Sequence, residues 1–296
     1  MILGENTMSL DWRNFTSNEI EKNFNPRIAV PDFDNYIEEA QNKAGLARTN
    51  LAGKLDVEYG KHPMQKLDVF ASQNIEKAPV HIFIHGGYWR ALDKSDHSHL
   101  ATPFVENGCI YFILNYGLCP NIKLSQINDQ IHSSLKWIYE NCSNYGGNPE
   151  NINISGHSAG AHLCAMLINT NWKNRNLPHD IIKSAYLISG IYEPEVVLKL
   201  SLNEEIGLNK QEAANNTPIP TSKVNSKIFL SVGDIEPPGW IEQTKIYAHK
   251  LKEKGNTVNF QILKNENHFS ILNVLSDSDN KFTKKMITVT KEGTNE

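Results

Sequence analysis

Ile152-Asn153-Ile154-Ser155-Gly156-His157-Ser158-Ala159-Gly160 is the stretch on which the fold turns. It reads as a short apolar strand, then G-x-S-x-G, then a helix opening at Ala159. A serine on so sharp a strand-to-helix turn is pushed above the sheet, and glycines on either side relieve the backbone crowding. The helix N-terminus behind it offers unpaired amides and the positive end of a dipole to developing negative charge. Any Gly/Ser-rich turn can match G-x-S-x-G. The strand before it and the helix after it give the match its weight.

Working outward, strand-like and helix-like segments alternate. Strands are expected at 55–59, 65–71, 80–84, 110–115, 152–155, 184–188, 227–232 and 257–263. The central ones are continuous apolar runs, as in strands buried on both faces of a mainly parallel sheet. The first two alternate polar and apolar residues and suit an antiparallel edge. Between them, 124–141 carries Ile127, Ile131, Leu135 and Ile138 as one helical stripe. Residues 159–169 and 243–254 read likewise, with Gly255 as a natural terminator. Such alternation predicts an α/β fold: a mostly parallel, doubly wound sheet with helices on both faces.

Three regions break the rhythm. Residues 1–50 hold no strand and read as an irregular N-terminal arm with a helix after Asp32. Residues 191–225 are polar, Pro-punctuated and too long for an ordinary loop, so they read as a lid or specificity insertion. Residues 277–296 begin polar and end charged; Phe282–Ile287 is expected to dock as a last helical turn, with the final residues fraying. With no repeat and no low-complexity linker, the 296 residues are expected to form one domain spanning 1–296, although length alone would also fit two.

Composition excludes other classes. At 40% hydrophobic and 21% charged residues with 13 prolines, the chain is not collagen-like, coiled-coil or wholly disordered. Lys and Arg total 29 against 33 Asp and Glu, a net charge of −4, which argues against nucleic acid as a partner. No apolar run approaches the ~20 residues of a membrane span, and Met1–Asp11 lacks the pattern of a secretory leader. A cytoplasmic setting is therefore expected, with the four cysteines (109, 119, 142 and 164) reduced.

Chemistry converges on a few positions. His85-Gly86-Gly87-Tyr88-Trp89 follows the strand at 80–84, and a turn of this kind leaves backbone amides approachable. The N–H groups of Gly87 and Tyr88, with that of Ala159, are the expected oxyanion hole; Gly86 makes the turn and His85 braces it. A serine needs a base and the base an orienting acid. Among 11 histidines, His268 alone lies beyond the last strand, where the base belongs. In Gly233-Asp234-Ile235-Glu236 two carboxylates compete for the acid. The position three past the glycine favours Glu236, with Asp234 the alternative. No HExxH or carboxylate pattern accompanies the other histidines, so no metal is expected.

These residues resemble the α/β-hydrolase superfamily and, more narrowly, the kynurenine formamidase (arylformamidase) family, over roughly residues 10–275. The likeness rests on H-G-G-x-W at 85–89, G-x-S-x-G at 156–160 and Asn267-His268-Phe269. It extends to Tyr59-Gly60, Leu67-Asp68-Val69-Phe70, Asn115-Tyr116, Phe24-Asn25-Pro26-Arg27 and Val30-Pro31-Asp32-Phe33. Glu236 departs from the aspartate usual in formamidases. The resemblance implies a serine hydrolase without a cofactor, often homodimeric, acting on small acyl esters or on aryl formamides such as N-formylkynurenine. Gly86, Trp89, Trp240 and Phe269 flank the catalytic positions and are the expected substrate contacts. The rivals are a short-chain carboxylesterase without formamidase activity and a non-catalytic binding protein of the same fold.

Overall fold

A computed structural model describes residues 11–293. The reading of 1–11 as lacking a leader pattern and the expected fraying of the final residues fall largely outside the described residues. Among the described residues, eight strands form one sheet: β1 (Gly53–Glu58), β2 (Lys66–Phe70), β3 (Ala78–Ile84), β4 (Ile110–Leu114), β5 (Gly147–His157), β6 (Ile182–Ile188), β7 (Lys227–Gly233) and β8 (Val258–Leu263). Their order is β1-β2-β4-β3-β5-β6-β7-β8. β2 runs antiparallel to both its neighbours, β1 and β4. β3 to β8 run parallel to one another. Every residue of β4 and β6 is buried, which is why those strands show no alternation in sequence.

Successive connections from β3 lead to opposite sides of it, first to β4 and then to β5. In open α/β sheets such a reversal leaves a crevice beyond the carboxyl ends of the strands. Helices cover both faces. On one lie α5 (Leu124–Asn141), α6 (Ala159–Ile168) and α9 (Pro238–Glu253), burying Ile127, Ile131, Leu163 and Tyr247. On the other lie α4 (Thr102–Glu106), α10 (Ile271–Ser276) and α11 (Lys281–Glu292), burying Phe104, Ile271 and Met286. α5 has the bounds that its apolar stripe predicts. α9 begins five residues before the expected Gln243, because Pro238 can open a helix with its missing N–H at no cost. α11 is a full 12-residue helix rather than a single turn, since its apolar face continues past Ile287 to Val289.

Among the described residues, the N-terminal arm and the 191–225 region both form helices. The arm contains α1 (Ser17–Phe24), α2 (Pro26–Ala29) and α3 (Phe33–Asn50). α1 starts on a capping box in which Thr16 and Glu19 satisfy each other's backbone N–H. The 191–225 region holds α7 (Asn203–Ile206) and α8 (Lys210–Asn215). It sends Val196, Val197, Leu202, Ile206 and Ala213 into the same core as α5 and α6. Among the described residues no helix is long and apolar enough to cross a membrane.

Candidate active site

The site stands at the carboxyl ends of β3, β5, β7 and β8. β5 ends at His157, and Ser158 follows with φ 57° and ψ −121° before α6 begins. That backbone lies in a sparsely populated region, a strain of order 1–3 kcal/mol that the surroundings must hold. Gly160 allows the turn to sit against β3: a Cβ there would stand 1.9 Å from the Ile84 carbonyl oxygen. The Ser158 N–H donates to the Ile188 carbonyl at 2.9 Å, tying the turn to β6.

His268 comes from the loop after β8. Its Nε2 lies 3.0 Å from Ser158 Oγ and its Nδ1 2.7 Å from Glu236 Oε2. Ser158 and His268, 110 residues apart in the chain, therefore meet. Of the two competing carboxylates, the structure brings Glu236 to the histidine. Glu236 is buried, and its Oε1 accepts from the Gly233 N–H at 2.8 Å and from the Ser189 hydroxyl at 2.5 Å. Asp234 points into solvent, where its Oδ1 accepts the Asn265 N–H at 2.7 Å. Ser189 escaped the sequence reading because a lone serine after a strand carries no signal.

The turn after β3 faces this trio. Gly87, Tyr88 and Trp89 have φ of 101°, 50° and 58°, a left-handed run that turns successive amides to one side. Neither the Gly87 nor the Tyr88 N–H has a hydrogen-bond partner among the described residues. Ala159, first in α6, likewise has no acceptor within the helix. Gly86 packs directly on Ser158, for a Cβ there would be 3.0 Å from Ser158 Cβ. The brace is His85: its Nδ1 lies 2.8 Å from the Gly86 carbonyl and its Nε2 3.2 Å from Asn115 Oδ1, with the ring stacked on Tyr116 at 4.4 Å. Burial pushes His85 down to about 4, so it is neutral at pH 7 and unsuited to act as a base. Tyr59, whose hydroxyl donates to the Asn115 carbonyl at 2.5 Å, completes that support.

Above the trio opens a cavity of about 410 Å³, within the range of small-molecule sites. The loops at the strand ends supply Gly87, Tyr88, His157, Ser158, His268 and Phe269; the arm supplies Asn25, Arg27, Tyr36 and Ile37; Leu202 and Glu204 come from the 191–225 region. Of the four expected substrate contacts, only Phe269 lines it. Trp89 and Trp240 have no exposed surface and stand behind the wall. Trp89 Nε1 donates to His162 Nδ1 at 3.2 Å, while the Trp240 ring lies against His268 at 4.4 Å. Each buried indole N–H has an acceptor, His162 Nδ1 for Trp89 and the Phe24 carbonyl for Trp240, as buried tryptophans require. Gly86 is a support as well, covered by Ser158. Tyr36 and Arg27, which the sequence reading passed over, are in the wall.

Among the described residues no group of three or more His, Cys, Asp or Glu side chains could hold a metal ion. The four cysteines are buried and unpaired, and burial lifts the Cys109 thiol to about 12.

Comparison with known proteins agrees with this architecture. The BD-FAE family profile matches residues 67–213, the segment holding both the H-G-G turn and the G-x-S-x-G turn. The kynurenine formamidase of Danio rerio is 28% identical, over 94% of this chain and 97% of its own length. That of Salmo salar is 29% identical, over 93% and 97%. Among solved structures, an esterase from Pyrobaculum calidifontis superposes with a TM-score of 0.68 at 16% identity, covering 90% of this chain and 97% of its own. The metagenomic carboxylesterase EstE1 gives 0.66 at 14% identity, covering 88% and 95%. With this sheet, these turns and these relatives, the chain has the α/β-hydrolase fold and is an enzyme, a hydrolase similar to the kynurenine formamidases.

Proposed function

We propose that the chain, acting as one catalytic unit, is a serine hydrolase that cleaves small aryl formamides and short acyl esters through an acyl-enzyme. The observation that carries this reading is the Ser158–His268–Glu236 relay at 3.0 and 2.7 Å, set beside two partnerless amides. Ser158 Oγ attacks the acyl carbon as His268 Nε2 takes its proton. Glu236 holds the Nδ1–H tautomer and stabilises the imidazolium. The amides of Gly87, Tyr88 and Ala159 receive the charge that gathers on the carbonyl oxygen, each donor worth about 3 kcal/mol. His268 then protonates the departing amine or alcohol. A water, deprotonated by the same histidine, releases the acid; from a formamide the acid is formate.

An aromatic substrate of the N-formylkynurenine kind suits the wall. Phe269 meets His268 edge-on at 5.6 Å and stacks with Phe33 at 5.6 Å and with Tyr36 at 6.3 Å. Arg27 sits over Phe33 at 4.8 Å and makes no side-chain hydrogen bond or ion pair among the described residues. It suits a carboxylate at the substrate's far end. The esterase reading, without formamidase activity, draws on the esterase folds of the solved neighbours. Four buried, unpaired thiols accord with the cytoplasm as the working compartment. A homodimer, which the family resemblance implies, is tested by light scattering of the purified chain.

The deciding experiment measures kcat/KM on N-formylkynurenine and on p-nitrophenyl acetate, with Ser158→Ala and fluorophosphonate labelling alongside. Hydrolysis of both, lost in Ser158→Ala, is expected. Turnover of the ester alone gives the carboxylesterase reading. An unlabelled, inactive wild type gives the non-catalytic one.

A further inference from the structure

One atom of the N-terminal arm touches both halves of the catalytic machinery. The main-chain carbonyl of Phe24, last residue of α1, accepts a hydrogen bond from the Tyr88 hydroxyl and another, at 3.2 Å, from Trp240 Nε1. Tyr88 carries one of the partnerless amides at φ 50°. Trp240 carries the ring that lies 4.4 Å from His268. The two side chains also meet edge to face at 5.9 Å. All three residues are at least half-buried, and Phe24 and Trp240 are almost wholly so.

The arm has no freedom to drift at this point. The Phe24 ring occupies the place a side chain at 239 would take: a Cβ on Gly239 would stand 2.4 Å from Phe24 Cε1. α2 begins immediately afterwards, with Asn25 closing α1 and capping α2 through its side chain. The rest of the arm is anchored as well. Glu21 Oε1 accepts the Ser201 N–H at 2.6 Å, and Trp12 Nε1 donates to Glu193 at 2.6 Å.

We propose that the Phe24 carbonyl is the fastening point through which the N-terminal arm sets the relative position of the oxyanion turn and the catalytic base. The side chains of Tyr88 and Trp240 are the positioning groups that reach it. The inference rests on the serine-hydrolase reading, since it gives Tyr88 N–H and His268 their roles. Physically, the backbone bonds of this left-handed turn engage the Gly87 carbonyl, which accepts from the Arg90 and Ala91 N–H groups, and the Trp89 carbonyl, which accepts from the Cys119 N–H, so that the Tyr88 peptide between them is held by what its side chain grips. A phenol hydroxyl fixed to a buried carbonyl stops that turn from rotating its amide away. An indole fixed to the same carbonyl keeps the imidazole from swinging off Ser158. Because the acceptor is shared, a shift of the arm moves both together.

The test uses the full chain with Tyr88→Phe and Trp240→Phe, singly and together, on p-nitrophenyl acetate, and with a trifluoromethyl ketone as transition-state mimic. Each single variant is expected to lose roughly 10- to 100-fold in kcat, below the loss of an entire oxyanion donor, with KM within about twofold. Affinity for the ketone falls by the same factor as kcat/KM. The double variant falls clearly less than the product of the singles, as expected for groups with one partner. Lowered thermal stability with kcat and ketone affinity intact overturns the proposal, as does a fully multiplicative double variant. If Tyr88→Phe does not fold, Trp240→Phe decides alone on the same two readouts. Fluorophosphonate labelling of wild type separates the outcomes: absence of labelling strikes the serine-hydrolase reading, whereas normal labelling with unaffected variants strikes only the fastening point.

Discussion

The floor of the cavity and its roof are built on different principles. The floor is made of strand ends and the turns that follow them. Ser158, Gly87 and Tyr88 sit at positive φ, and neighbouring backbone passes so close that Gly160 admits no side chain. The roof is made of helices from the arm and from 191–225, ordinary in backbone, laid across the opening and joined to the floor by hydrogen bonds and ring contacts. Chemistry that needs atoms held within a fraction of an ångström belongs to the first kind of construction. Selection among substrates can be left to the second, where a side chain changes without disturbing the sheet.

The largest expected effect tests the floor. Glu236→Gln preserves shape but removes the charge that fixes the His268 tautomer, and should lower kcat about 10⁴-fold. Asp234→Asn, two residues away and facing solvent, should stay within about twofold, because its one bond to the Asn265 N–H does not reach the histidine. Steady-state rates on p-nitrophenyl acetate measure both. Equal losses in the two variants would mean that the acid is shared across the loop rather than held at one buried site.

The same contrast explains what could be read from the chain. Most strands and the helix at 124–141 were legible because burial on one or two faces leaves a period. Ser158 and the H-G-G turn were legible because strained backbone demands glycines at fixed spacing, and His268 because no other histidine follows the last strand. Glu236 was preferred over Asp234 on its distance from Gly233, and the geometry shows the cause: its Oε1 must also accept the Gly233 amide at 2.8 Å. The roof offered no such marks. The Phe24 contact uses a main-chain carbonyl, which every residue has. Trp89 and Trp240 looked like substrate contacts because they adjoin catalytic residues. Proximity in sequence does not say on which side of a turn a ring will lie, and both rings went behind the wall. The 191–225 region read as a lid or specificity insertion from its polarity and length, and isolated apolar residues such as Val196, Leu202 and Ile206 seat it in the core.

Acid should act on the floor and core before it acts on the roof's chemistry. Burial pushes His81 and His99 down to about 3, and His85 and His162 to about 4. Each folded value lies below the unfolded one near 6.5, so the unfolded chain binds more protons as the pH drops. The stability these neutral rings permit is thus full above about pH 6.5 and is lost as the pH falls toward 4 and 3. The slope is on the order of 1 kcal/mol per histidine for each pH unit. Thermal unfolding followed from pH 7.5 to 5 should show Tm falling steadily below 6.5. A flat Tm over that interval would show that the rings take up protons without opening the fold. His162 adds a connection to the roof, since its Nε2 lies 2.6 Å from the Asn216 carbonyl and its Nδ1 accepts from Trp89. His162→Gln should therefore flatten the Tm profile by about one histidine's share.

The smallest effect is the one that tests the roof's role directly. Arg27 belongs to α2, lines the cavity, and makes no side-chain ion pair or hydrogen bond among the described residues. The neighbouring Arg90 differs, being paired with Glu205. An exposed guanidinium meeting a substrate carboxylate gains a charge-assisted bond of about 1.5 kcal/mol, near a tenfold change in binding. That contact would be the same in the ground and transition states, because the carboxylate lies far from the reacting carbon. Arg27→Gln should therefore raise KM about tenfold for N-formylkynurenine and leave kcat unchanged. For formanilide and p-nitrophenyl acetate, which carry no carboxylate, neither constant should move. A drop in kcat on all three substrates would place Arg27 among the residues that hold the floor in shape, and the division between a catalytic floor and a selective roof would fail at that position.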